Sequence, residues 1–189
     1  MKRITILFLS ALAICALTSC VPSLHPLFTK EDVIFKPELV GKWSSADSSD
    51  SWKFTKAGSN RYTLVYTDDD GKAGQFKATL FKLGDQQFLD LFPDDDTFDK
   101  ADAPTLYTWH LQPMHTLAKV DSIGPALEMG FLSPKWMENK LKENPDAIRH
   151  ETVNDRIVLT APTKDLQAFV TNNVHSGEMF GKPMDLLRE

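Results

Sequence analysis

Apolar and polar residues alternate through the middle of this 189-residue chain. Residues 61–66 show the pattern most clearly, because tyrosine and leucine side chains at every second position fall on one face of an extended strand. The acidic triplet and glycine over 68–71 then predict a hairpin turn, since glycine readily adopts the positive φ that such turns need. The same alternation, interrupted by turn residues, predicts short strands from residue 40 to about residue 131.

About eight such strands follow one another, among them a sixth over 106–112, a seventh over 115–120 and an eighth over 127–132. Strands that are neighbours in sequence usually pair in space, and closing eight of them into a barrel removes exposed edges. The predicted fold class is therefore mainly β (α+β). We expect an up-and-down antiparallel meander that closes as a barrel, with two short helices near the C-terminus.

Helical spacing replaces the alternation after residue 132. Ser133-Pro134 is typical of a helix start and Asn144-Pro145 of its end. A hairpin is predicted from 148–151 and 156–160, and Thr163 is predicted to cap a second helix. The last dozen residues carry two glycines and a proline, and we expect them to be irregular.

The N-terminus has a different character, with a cationic start followed by an apolar run over residues 4–17. As a helix this run would be about 21 Å long, short of the roughly 30 Å hydrocarbon core of a bilayer. Residues 1–19 are therefore predicted to be a cleaved signal peptide.

The sequence Leu17-Thr18-Ser19-Cys20 resembles the lipobox of bacterial lipoproteins. The resemblance implies cleavage before Cys20, followed by attachment of a diacylglyceryl thioether and an amide-linked acyl chain to that residue. Two or more acyl chains hold a protein stably on a membrane. Since Val21 occupies the position at which aspartate signals inner-membrane retention in enteric-type lipoproteins, the resemblance favours the outer membrane, facing the periplasm. The alternative is an ordinary secretory signal that ends by chance at an unmodified cysteine.

Residues 20–39 contain three prolines and several apolar side chains, and are predicted to be a lipidated tether that packs along the domain for part of its length. Residues 40–189 are predicted to form a single mainly β domain. Residues 22–29, followed by Gly41-Lys42-Trp43, resemble the opening of a group of bacterial envelope lipoproteins. That resemblance implies no activity.

Charge narrows the classes of partner. Acidic residues number 26 and basic residues 21, for a net charge of −5, which argues against a nucleic-acid partner. Without Lys2 and Arg3 the mature chain has 19 basic residues and a net charge of −7, so anionic headgroups have no broad basic surface to attract. Cys15 leaves with the signal peptide, and the mature domain is therefore expected to lack a disulfide.

Gly41-Lys42-Trp43 also resembles the Gly-x-Trp motif of lipocalins, small barrels that hold apolar ligands. In that family the tryptophan plugs the closed end of the barrel and a late arginine lies over it, which makes Arg149 and Arg156 candidate partners. Several aromatic side chains predicted on strands either line a ligand cavity or fill the core. They are Trp43, Trp52, Tyr62, Tyr66, Phe76, Phe88 and Trp109.

Other candidate chemistry is weak. His110 and His115 could bind a metal with His150, but their odd separation on one strand would turn them to opposite faces. An oxygen-rich loop could hold calcium, although a solvated loop is the stronger interpretation; its acidic residues are Asp94, Asp95, Asp96, Asp99 and Asp102. No catalytic motif is recognised, so neither an enzyme activity, a cofactor nor a metal is predicted.

The sequence predicts a lipid-anchored envelope lipoprotein whose β domain binds a small apolar ligand or an envelope partner. The alternative is an interaction or assembly lipoprotein with a filled core and no ligand. A hydrolase that uses carboxylates of the acidic loop is the least favoured hypothesis.

Overall fold

A computed structural model describes residues 20–94, 104–108 and 110–189 of the chain. Within these residues the strands are β1 (Pro22–Ser23), β2 (Gly41–Ser45), β3 (Ser51–Ala57), β4 (Arg61–Thr67), β5 (Ala73–Leu83), β6 (Gln86–Pro93), β7 (His115–Ile123), β8 (Ala126–Phe131), β9 (His150–Val153), β10 (Arg156–Leu159) and β11 (Met184–Arg188). The helices are α1 (Thr105–Thr108), α2 (Pro134–Glu143) and α3 (Thr163–Asn173), and a 3-10 turn spans Pro37–Leu39.

Eight of the described strands close into an antiparallel barrel. Strands β2 to β8 pair in sequence order, and β11 closes the ring between β8 and β2. Leu186 of β11 stands opposite Leu127 on one side and Ser45 on the other. The predicted fold class, a mainly β up-and-down barrel similar to that of lipocalins, is confirmed.

The prediction of which segment supplies the eighth strand was wrong. Instead of a strand over 106–112 the structure has the single helical turn α1, in which the amides of Tyr107 and Thr108 bond to the carbonyl of Pro104. Leu106 and Tyr107 are 66% and 60% exposed. A strand there would therefore gain no stabilisation from burying these side chains. The strand comes instead from Met184–Arg188, within the segment predicted to be irregular.

The barrel interior is built by strict alternation. Every barrel strand sends its inward side chains into one buried cluster, which contains Leu39, Trp43, Trp52, Phe54, Tyr62, Leu64, Ala78, Leu80, Leu89, Leu91, Ala118, Val120, Leu127, Met129 and Leu186. An eight-stranded barrel has an interior just wide enough for side chains to fill. The buried cluster therefore acts as the hydrophobic core of the barrel.

A second layer covers the outer face of β5, β6 and β7. Phe81, Phe88 and Leu117 project outward there and pack against α2, α3 and the N-terminal segment. Strand β1 pairs with β7 on one side and with β10 on the other, which brings the β9–β10 hairpin into the same sheet. Residues directly after Cys20 therefore belong to the folded body: Val21 is 3% exposed.

Local signals account for the two longer helices and the hairpin. The Ser133 hydroxyl oxygen accepts a hydrogen bond from the Trp136 amide at 3.3 Å, which caps α2 as predicted. Asn154 and Asp155 turn the β9–β10 hairpin with φ of 49° and 61°. Thr163 is not the predicted cap of α3: it is the first residue of the helix, and its hydroxyl donates to the Pro26 carbonyl at 2.8 Å.

Candidate functional site

One end of the barrel is closed by a buried tryptophan beneath an arginine. Trp43 is fully buried, and its indole Nε1 donates to the Leu39 carbonyl at 3.0 Å. The guanidinium carbon of Arg188 lies 4.3 Å from the centre of the Trp43 ring, a cation–π contact. Arg188 also donates to the carbonyls of Val40 and Glu38, at 2.9 Å for Val40. These side chains form what we call the Trp43 end.

Gly41 is required for this arrangement. Its φ of 151° is unfavourable for other residues, and a Cβ added there would lie 2.6 Å from Nη1 of Arg188. Glycine therefore lets the guanidinium approach the start of β2 closely enough to cover Trp43. In this chain, glycine two residues before tryptophan therefore has a physical reason.

The arginine over the tryptophan is neither of the two predicted candidates. Arg149 pairs with Asp165 at 3.1 Å on the helical layer, and Arg156 lies at the opposite end of the molecule. Arg188 takes the position because β11 returns the chain to β2, with Arg188 directly opposite Trp43. The prediction of Arg149 or Arg156 was wrong because the C-terminal segment, predicted to be irregular, forms the strand that carries Arg188.

The other end of the barrel carries an open groove. Because successive strands are antiparallel, the end of β6 and the start of β7 lie at the barrel end away from Gly41 and Arg188. A groove of about 760 Å³ lies there, which we call the Cys20 groove. Its lining residues are Cys20, Pro22, Pro93, Gln112, Pro113, Met114, Thr116, Val153, Asn154, Arg156 and Val158.

The Cys20 groove is mostly apolar and has one cationic side chain, Arg156. Cys20 is partly buried in it, and that burial raises the pKa of its thiol. Val153 at the hairpin tip is 54% exposed. Leu106 and Tyr107, also exposed, belong to the connection that supplies Gln112 to the groove. Exposed apolar side chains therefore occur at the groove, at Val153, and on the connection between β6 and β7.

A buried carboxylate lies beneath the N-terminal segment. Asp90, 2% exposed, accepts a hydrogen bond from the Leu27 amide and lies 2.7 Å from Nδ1 of His115. Burial raises the pKa of Asp90, and the bonds from His115 and Leu27 offset part of that effect. The pair attaches the N-terminal segment to the barrel wall. In the sequence, an aspartate inside the apolar run over 88–92 signals a buried polar group, but its partners Leu27 and His115 lie far away along the chain.

The structure separates the predicted aromatic residues. Trp43, Trp52 and Tyr62 lie inside the barrel, and Tyr66 and Phe76 pack against them while partly buried. Trp52 lies 4.8 Å from the Tyr66 ring centre and 6.1 Å from that of Phe131 across the barrel. Phe88 faces outward, under Phe180 of the second layer. Trp109 lies outside the described residues.

Two of the three candidate metal-binding histidines, His115 and His150, have other partners. His115 bonds to Asp90, and Nδ1 of His150 lies 2.9 Å from the Ile148 carbonyl. Among residues 20–94, 104–108 and 110–189, no three histidine, cysteine or acidic side chains are arranged to hold a metal ion. Asp94 lies near Lys77, at 3.4 Å, and accepts a bond from Gln75. The rest of the predicted acidic loop, Asp95, Asp96, Asp99 and Asp102, is outside the described residues.

No helix in the described part of the chain has both the length and the apolar character needed to cross a bilayer.

The fold and the Trp43 end define the class of this domain: an up-and-down β-barrel similar to that of lipocalins, with an added helical layer. Comparisons with models of protein families, with curated proteins and with solved structures find no significant match to this chain.

Proposed function

We propose that this protein is a lipid-anchored lipoprotein of the bacterial envelope, and that its barrel is a rigid body that binds an envelope partner through its outer surface. The anchor is supported by the lipobox residues 17–20 and by the position of Cys20 at a surface groove. The resemblance to lipoproteins supports an outer-membrane anchor with the domain in the periplasm. The partner is a macromolecule of that compartment.

The packing of the barrel interior favours a macromolecular partner over a ligand bound inside the barrel. Inward side chains from all eight strands are buried in one cluster, in which Trp43, Phe54 and Tyr62 are at most 1% exposed and Trp52 is 7% exposed. An apolar ligand bound among these side chains would have to displace them, and the core would have to repack. Such rearrangements cost several kcal/mol, on the order of the cost of core mutations.

The anchor and the partner can be tested separately. Intact-mass analysis of the membrane-extracted protein should show cleavage before Cys20 and the added acyl mass, and Cys20→Ser should be released from the membrane fraction. A photo-crosslinking amino acid is then placed at Thr55, on the exposed outer face of β3, or at Lys142 on α2. A defined adduct from one of these two faces, lost in Cys20→Ser, supports the proposal. Monomer alone from both faces contradicts it.

A small apolar ligand is the second candidate, favoured by one observation. Around Trp52, near the end of the barrel away from the Trp43 end, Tyr66, Phe76, Phe131 and Met184 are only partly buried. A fatty acid titrated into the protein lacking residues 1–20 should then quench tryptophan fluorescence saturably, and Trp52→Phe should remove most of the change. A flat titration would leave the partner as the function.

A further inference from the structure

From the way the chain leaves Cys20, we infer that the barrel end carrying the Cys20 groove lies directly on the phospholipid headgroup layer, so that the Trp43 end points away from the membrane. This inference rests on the proposed lipid anchor and adds the surface that meets the bilayer.

The first argument is the length of the linker. Val21 is 3% exposed, Pro22–Ser23 is already a strand, and the amide of Leu24 donates to the Leu159 carbonyl at 2.9 Å. No flexible segment separates Cys20 from the folded body, and one residue spans less than about 4 Å. A diacylglyceryl group on the Cys20 sulfur would therefore hold the groove at the level of the lipid glycerol.

The second argument is the chemistry of the surface that this geometry places there. Val153 lines the groove and is 54% exposed; Leu106 and Tyr107, on the connection between β6 and β7 at this end of the barrel, are 66% and 60% exposed. Tyrosine favours the membrane interface, where its ring is apolar and its hydroxyl remains hydrated. Arg156 adds a guanidinium at the groove, a group suited to lipid phosphate.

The third argument concerns charge and decides the kind of membrane. Asp155, exposed, and Asp94 lie at this same end, and the mature chain carries a net charge of −7. These carboxylates oppose attraction to an anionic surface. Apolar contact and the covalent lipid must hold the groove to the bilayer, so the appropriate test membrane is zwitterionic phosphatidylcholine.

Two exposed positions at opposite barrel ends give a matched test. Val153 and Leu187 are 54% and 52% exposed, and Leu187 lies one residue from Arg188 at the Trp43 end. Val153→Cys and Leu187→Cys are each made in the full chain, extracted with the lipidated Cys20, labelled with bimane and reconstituted in vesicles of phosphatidylcholine brominated near the headgroup end of the acyl chains. Tyr107→Cys serves as a second reporter at the groove end.

We expect bimane at Val153→Cys and Tyr107→Cys to lose fluorescence and shift to the blue, while bimane at Leu187→Cys keeps the emission it has in unbrominated vesicles. Equal quenching at both ends, or at neither, in protein whose intact mass shows the acyl chains would overturn this inference and leave the lipid anchor in place. A bare thiol on Cys20 with soluble protein would overturn both.

Discussion

The two ends of the barrel differ in how their side chains are packed and exposed. At the Trp43 end an indole is fully buried, its NH is bonded to a carbonyl, and Arg188 covers it while bonding to two further carbonyls. At the other end, the Cys20 groove leaves Val153 exposed and Pro22, Met114 and Val158 only partly buried. The Trp43 end is thus closed by a buried ring and by side-chain hydrogen bonds to backbone carbonyls. The groove end is open and mostly apolar, which is typical of a contact surface.

The largest expected effect is at the Trp43 end. Trp43→Ala removes a fully buried ring and the donor to the Leu39 carbonyl, and should lower the free energy of unfolding by about 3 to 5 kcal/mol in urea titrations. Trp43→Phe retains most of the ring and should lose clearly less. Equal losses for the two variants would show that the hydrogen bond, not packing, is the main contribution of this residue.

Gly41→Ala should be next in size. A methyl group there meets Arg188 at 2.6 Å and imposes an unfavourable φ, so we expect a loss of about 2 to 4 kcal/mol in the same assay. Combining it with Arg188→Ala relieves the clash, and the double variant should lose less than the sum of the single variants. Strict additivity would show that backbone strain alone sets the cost.

The Asp90–His115 pair, which attaches the N-terminal segment next to Cys20, should show itself in the pH dependence of stability. Burial raises the folded-state pKa of Asp90 above its unfolded value of about 3.9, so the folded protein holds its proton more tightly. This stabilising contribution is fully present below the unfolded pKa and is lost as pH rises through the folded pKa.

Asp90→Asn removes this titration and exchanges a charge-assisted hydrogen bond for a neutral one, a change of about 1 kcal/mol. The stability of the wild type relative to Asp90→Asn should therefore fall as pH rises through the folded pKa, measured by urea unfolding from acid to neutral pH. An increase over that range would mean that the bonds from His115 and Leu27 outweigh burial.

The smallest effect is expected at the groove. Val153→Ser removes an exposed side chain and should change the free energy of unfolding by no more than about 0.5 kcal/mol. Leu187→Ser, equally exposed at the Trp43 end, is the matched control and should behave alike. A large loss at Val153 alone would mean that the groove is part of the folded core, and the contrast between the two ends would disappear.

Much of this architecture follows from local signals. Alternation over 61–66, the turn at 68–71 and the cap at Ser133 act within a few residues, so the strands β2 to β8 and α2 could be predicted without any long-range information. The Gly-x-Trp motif likewise predicted a plugged barrel. Aromatic identity alone could not assign sides: Phe88 faces the second layer, whereas its neighbour Leu89 faces the core.

The sequence by itself determined the class of fold, the buried tryptophan and the prediction of a lipid anchor at Cys20, because each depends on a short contiguous pattern. Only the tertiary structure decided that Met184–Arg188 closes the barrel, that Arg188 covers Trp43, and that Asp90 is buried beneath the N-terminal segment. These contacts join residues far apart in the chain. Their free energy exists only once the β2 and β8 edges and the outer barrel wall have formed, so no local pattern encodes them.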